Sequence, residues 1–396
     1  MCLKNLLLPV FSILISLDAS SQWTQRTDFG GVGRHRATGL SIGNRAYMGI
    51  GHYNGTGTET LLSDWWEYDP ATNAWTQKAD YLGNNGNGEV GAHGFGLELV
   101  GYVGLGKLDE FGLYKYDPAT NTWAPMTSAP AGGSFQDRAN FTIGHKAYFL
   151  RLYTTRLWEY NADLNIWKEL NPVTFNTFNF SSGFSIYNKG YLKTSNSSQA
   201  LNEFWKYDSD LDSWDQVATY PGDARLGSVA FVQDDKGYII CGYGAYSLSN
   251  LSSQVWQYRP ITDSWFRMDD FPGAQRRFSI GLSIGERCYL GTGTNGTNLK
   301  DFWEFDASGL ADISEEFDES SFSVYPNPAV DFVEFHSEKS LSFDVIVFDA
   351  LGKMVNILNT ENGSVRLNRN SLPGGCYFFQ VEVDGEAVYS DRFDFL

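Results

Sequence analysis

Six segments of the chain repeat one another, and this repetition limits the fold more than any other feature. They are Trp66–Trp75 (WEYDPATNAW), Tyr114–Trp123 (YKYDPATNTW), Trp158–Trp167 (WEYNADLNIW), Trp205–Trp214 (WKYDSDLDSW), Trp256–Trp265 (WQYRPITDSW) and a truncated Trp303–Asp306 (WEFD). The closing Trp residues recur at intervals of 44 to 51. A second element precedes each segment: Ala46–Gly51, Gly101–Gly106, Ala147–Phe149, Gly190–Leu192, Gly237–Gly242 and Cys288–Gly293, all with Tyr in second place. A fixed period near 50 residues means one supersecondary unit stacked many times, each too small to bury its own apolar face.

Both elements alternate as strands do, and Asp-Pro-Ala-Thr-Asn is a turn, with Asp capping it and Pro fixing φ. The chain holds 41 Gly, 22 Tyr, 28 Phe and 12 Trp, a mixture suited to short aromatic strands joined by tight turns. An all-β protein follows.

These elements resemble kelch repeats. The resemblance runs from Trp23 to Asp306 and implies one four-stranded antiparallel blade per repeat, hence a six-bladed kelch-type β-propeller over residues 22–308. The sixth repeat lacks its outer strand. Trp23-Thr-Gln25 matches Trp75-Thr-Gln77, so the N-terminal strand is expected to complete the last blade and remove an exposed edge.

Beyond Asp306 the repeat stops. Residues 309–322 are acidic and turn-rich and read as a linker. Residues 323–396 carry short alternating strands, such as Phe343–Phe348, between Gly, Pro and Asn turns, which suggests a small immunoglobulin-like β-sandwich. Tyr325-Pro-Asn-Pro328, Phe348-Asp-Ala-Leu-Gly-Lys353 and Leu372-Pro-Gly374 with Tyr377 resemble the C-terminal sorting domain of the Bacteroidetes type IX secretion system. The resemblance implies that residues 323–396 engage that machinery and that the protein reaches the outer cell surface or is released.

The N-terminus fits such export. Lys4, the apolar run Leu6–Leu17 and the small residues Ala19-Ser20-Ser21 make residues 1–21 a signal peptide, with cleavage before Gln22. No other segment reaches 18 consecutive apolar residues, so no membrane span is expected. A net charge of −18 argues against nucleic-acid partners, and a monomer is expected. After cleavage Cys241, Cys288 and Cys376 remain, without metal-ligand spacing, and read as buried small side chains. No cofactor and no metal are expected.

In antiparallel blades, the loop entering the inner strand and the loop between the second and third strands share one face. The second-to-third loops vary most in length, which makes this the expected binding face. Basic residues gather there at the starts of inner strands: Arg34, His35 and Arg36, then His93, Arg138, Arg225, and Arg276 with Arg277. Aligning Ser41-Ile-Gly43 with Ser283-Ile-Gly285 makes Arg34 equivalent to Arg276. Arg34, Arg36, His93, Arg138, Arg225, Arg276 and Arg277 are therefore the candidate ligand-binding ring. They suit either bidentate contacts to an anion or bonding to blade carbonyls and stacking on aromatics.

Nucleophile-elbow, zinc-protease and phosphate-loop motifs are lacking, and no catalytic residue can be named. Among kelch branches, the secreted sialic-acid mutarotases resemble this chain more than the copper oxidases do. Glu59, Asp64, Asp109 and Glu110 lie in the right class of loop for a partner carboxylate. The expected function is a secreted or cell-surface binding module for a glycan or protein, with a sugar-processing enzyme or an adhesion scaffold as alternatives.

Overall fold

The structure, a computed structural model, describes residues 22–55, 59–151, 154–175, 180–194, 202–244, 250–260, 263–307, 322–337, 343–350, 353–360, 363–370, 372–383 and 386–396. The expected signal peptide, 1–21, and the expected linker up to residue 321 lie outside them.

Each repeat forms one four-stranded antiparallel sheet, and the described residues hold six such sheets in the ring. Sheet 1 runs, from inner to outer strand, Thr38–Ile42, Arg45–Tyr53, Thr60–Asp69 and Ala74–Lys78. Sheets 2 to 6 have inner strands His93–Leu97, Asn140–Ile143, Ser182–Ile186, Val229–Gln233 and Ile280–Ile284. Neighbouring inner strands pack in cyclic order, with the strand of sheet 6 against that of sheet 1. As the sequence suggested, the outer strand of sheet 6 comes from the N-terminus: Trp23–Arg26 pairs with Phe302–Phe305, Trp23 opposite Phe305. Arg26 secures it by a bidentate pair with Glu304 at 3.0 and 2.7 Å.

The repeat's aromatic residues pack between sheets. Phe302 of sheet 6 meets Tyr68 and Trp75 of sheet 1, with centroids 4.9 and 5.0 Å away. The turn holds neighbouring sheets together. Its last residue, Asn73, Asn121, Asn165, Asp212 or Asp263, has φ between 47° and 53°, a left-handed conformation that Asn and Asp tolerate best after Gly. Its side-chain oxygens accept the hydroxyl of the Tyr five residues earlier at 2.8–2.9 Å. They also accept the backbone N–H of the residue leaving the previous sheet: Thr27, Ala79, Thr127, Asn171 or Ala218. In four of these staples the closing Trp returns a bond from its indole N–H to that residue's carbonyl.

Beyond the ring, the strands Phe322–Tyr325, Phe332–Ser337 and Ser364–Asn368 form a three-stranded sheet. A four-stranded sheet runs in the order Met354–Thr360, Phe343–Phe348, Gly375–Val383, Glu386–Phe395. Val333, Phe335, Val345, Val347, Phe379 and Phe393 form their shared core, so the two sheets make the expected sandwich. No helix of the described residues is long and apolar enough to cross a membrane. Cys241 and Cys288 are buried free thiols, whereas Cys376 is half-buried.

Candidate functional site

One residue from the start of each inner segment lines the mouth of the central channel: Arg36, Gly91, Asp137, Phe180, Gly227 and Phe278. Each donates its N–H to the carbonyl of the residue before it in this circle, and Arg36 N–H to Phe278 O closes the ring, with distances from 2.6 to 3.2 Å. All six have positive φ, between 50° and 68°, although only two are glycine. The closed bond ring holds the other four in a conformation that non-glycine residues visit rarely.

The two glycines let neighbouring side chains lie across the mouth. A Cβ on Gly91 would stand 2.6 Å from Asp137 Oδ1 and 3.0 Å from Arg36 Nη2. Over it, Arg36 forms a two-pronged pair with Asp137, Nε to Oδ1 at 2.8 Å and Nη2 to Oδ2. Opposite, above Gly227, Phe180 and Phe278 meet with centroids 4.7 Å apart. The Arg36 guanidinium also lies 5.8 Å from the Phe180 ring. A cap results, one half ionic and one half aromatic. The channel it borders has a volume of about 550 Å³, and His93, Arg138 and Asn140 contribute to its wall.

The expected basic ring divides into three groups. Arg34 and Arg276 are equivalent, as the alignment indicated, and both are fully buried. Arg34 binds Asp64 with two nitrogens at 2.6 and 2.7 Å, donates to the carbonyls of Val32 and Ile50, and lies 4.8 Å from the Phe29 ring. Arg276 repeats this with Asp301, Ala274, Thr292 and Phe271. Burial alone would raise the Asp64 and Asp301 carboxyls, but the guanidiniums hold both below the usual carboxylate range. Arg225 is likewise buried, on Asp223 and the Asn250 carbonyl. These three are taken up by carboxylates and carbonyls and do not line the channel.

His93 is buried between Asn140 and the Phe135 carbonyl, which its Nε2–H approaches at 2.8 Å, and burial pushes its pKa down. Arg138 is buried beside it. Arg36 and Arg277 are half-buried, and Arg36 lines the channel mouth. Arg277 lies 5.1 Å from the Tyr243 ring and 5.4 Å from that of Phe278, and burial lowers its pKa. Of the loop carboxylates, Asp64 is committed to Arg34 and Trp66, and Asp109 accepts from Tyr114 and Gly112. Glu59 and Glu110 are exposed. Sequence reasoning missed Asp137, Phe180, Phe278 and Tyr243. It also missed the buried cations Arg151, against Phe135 and Trp158, and Lys193, against Tyr220.

Comparison with known proteins adds three findings. Residues 323–393 match the family described as "Secretion system C-terminal sorting domain". This tail directs the chain through the type IX machinery to the cell surface or outside. The chain is similar to N-acetylneuraminate epimerases of Salmonella typhimurium, at 25% identity over 164 residues, and Salmonella typhi, at 27% over 164 residues. Each match covers 41% of this chain but only 38% of the relative's length. A solved structure described as "Structure of YjhT" superposes with a TM-score of 0.56 at 15% identity, covering 71% of this chain and 95% of that one. That likeness is one of fold, and the ring of sheets is a kelch-type β-propeller.

Proposed function

We propose that the propeller is an extracellular binding module for an acidic sugar, held at the capped channel mouth. On this reading residues 1–21 are a signal peptide, 22–308 the working ring, 309–322 a linker and 323–396 the export signal. The observation that carries it is the pairing of guanidinium and aromatic groups at one mouth: Arg36 beside Phe180, and Arg277 beside Tyr243 and Phe278. Guanidinium forks bind carboxylates, and aromatic faces bind the apolar face of a sugar ring. Partial burial lowers the Arg277 pKa, so part of the cost of desolvating this cation is already met before a carboxylate arrives. The similarity to N-acetylneuraminate epimerases suggests a sugar of that acidic class as the first probe.

Calorimetric titration with N-acetylneuraminate tests this. Arg277→Ala should weaken binding by about 10-fold or more, the cost of a lost charged hydrogen bond, and Arg36→Ala, whose fork is already paired with Asp137, should weaken it less. Equal affinity for a neutral N-acetylhexosamine, or no binding of either sugar, would refute it. The Asp137 carboxylate beside Arg36 favours a second reading, proton transfer on a bound sugar. NMR of anomer exchange separates the two. Acceleration that Asp137→Asn abolishes identifies an enzyme, whereas binding without acceleration identifies a module that only binds.

A further inference from the structure

His35 and His52 face each other in an isolated antiparallel bridge, with His35 N–H to His52 O at 3.1 Å and the return bond at 2.9 Å. Directly opposed residues present their side chains on the same face, so the backbone fixes the two rings side by side. His52 Nδ1 lies 3.2 Å from His35 Nε2. The ring centroids are 4.8 Å apart and the planes meet at 66°. A head-on N–H···N bond of this length would separate the centroids by ~5.5 Å. The shorter value means that the contact is bent away from a head-on N–H···N line. Two imidazoles bound to one tetrahedral ion, each at ~2.05 Å, hold their nitrogens ~3.3 Å apart.

The far side of each ring faces oxygen. Asn298 Oδ1 lies 2.8 Å from His35 Nδ1, and its amide nitrogen donates to Asn54 Oδ1 at 2.9 Å, which turns the oxygen toward the ring. His52 Nε2 is buried, forms no hydrogen bond, and lies 3.8 Å from the Glu59 carboxylate. A neutral pair cannot satisfy all four nitrogens. With its proton on Nδ1 for Asn298, His35 presents a lone pair at Nε2. If His52 donates to it from Nδ1, its buried Nε2 lone pair faces a carboxylate. If His52 is instead protonated at Nε2, two lone pairs meet.

We propose that His35 and His52 form a two-imidazole site for a divalent transition-metal ion of the zinc or copper class. A bound ion accepts both facing lone pairs and leaves both outer N–H groups pointing at oxygen, the arrangement that orients metal-bound histidines. Among the described residues there is no group of three or more His, Cys, Asp or Glu able to hold an ion, so the remaining positions fall to water or an incoming oxygen ligand. The Arg36 and Arg277 guanidiniums lie within electrostatic reach of His35. The same guanidiniums repel a cation, and Glu59 opposes them.

The test is calorimetry of the tag-free full chain with Zn²⁺ and Cu²⁺, with Cu²⁺ paramagnetic resonance to count nitrogen ligands. One ion per chain and two nitrogens are expected. His35→Ala and His52→Gln should each weaken binding at least ~10-fold, and Glu59→Gln should weaken it less. Thermal unfolding without metal confirms that each variant folds. Equal affinity in wild type and the double variant would overturn the proposal. So would the absence of binding at millimolar ion, with nitrogen NMR showing a proton held between the rings; the pair would then be a proton site.

Discussion

Lys193 is the side chain whose replacement should change stability most instructively. The residue is 1% exposed, and its Nζ donates to the Arg225 carbonyl at 3.0 Å and lies 4.8 Å from the Tyr220 ring. Burial, reinforced by the nearby charge of Arg225, lowers its pKa from the ordinary 10.5 to about 7. The unfolded chain therefore binds a proton that the folded chain binds poorly. Between pH 7 and 10.5 protonation favours unfolding, so stability contributed at this site rises with pH through that window and is flat below it. At pH 7 the deficit is about 4 kcal/mol, at 1.36 kcal/mol per pKa unit. Lys193→Met fills similar volume without charge but leaves the Arg225 carbonyl unpaired, at about 1–3 kcal/mol. The variant should thus be more stable than wild type by roughly 1–3 kcal/mol at pH 7. By pH 10 the ionisation deficit falls to about 1 kcal/mol, so the order of the two proteins should reverse or close. Urea unfolding of both chains at pH 7, 8, 9 and 10 reads this directly. Comparison at each pH cancels the buried tyrosines, which are common to both. A stability difference that stays constant with pH would refute the reasoning.

Two further outcomes follow from the packing. Asn121→Ala removes the acceptor for both Tyr116 Oη–H and Ala79 N–H and places Ala at φ 53°, so it should cost about 2–4 kcal/mol in chemical unfolding; Thr120→Ala on the same exposed turn should be near neutral. In native protein beginning at Gln22, Cys241 and Cys288 should resist thiol reagents at pH 8, because burial pushes both thiols up to about 12, and rapid labelling counted by mass spectrometry should fall on Cys376.

The ring was legible because its determinants recur. Tyr and Trp at fixed offsets fix strand register, and the unmatched sixth repeat pointed to Trp23 as the closing strand. The double duty of the turn was not legible: the spacing shows an Asn or Asp in a tight turn, but not that it also grips the preceding sheet. The roles of the arginines were half legible. Position alone placed Arg34 and Arg276 with Arg36 and Arg277. The signal that separates them is an Asp two residues before the repeat's Trp, in Asp64-Trp-Trp66 and Asp301-Phe-Trp303, which absorbs the guanidinium. The carboxylate that meets Arg36 comes instead from Asp137, 101 residues away in another repeat.

The cap escaped the repeat for a different reason. Its six positions share a backbone conformation and a bond pattern but no side-chain type, so similarity between repeats hides them. That separation has a functional consequence. The closed ring of backbone bonds fixes the side-chain direction at each of the six positions. Glycine at 91 and 227 gives the remaining four side chains room to pair across the mouth as one salt bridge and one aromatic contact. Filling either gap displaces a pair without touching the aromatic staples between sheets. Substitution at these positions therefore changes what the channel mouth presents while leaving the Asn and Asp staples between sheets in place.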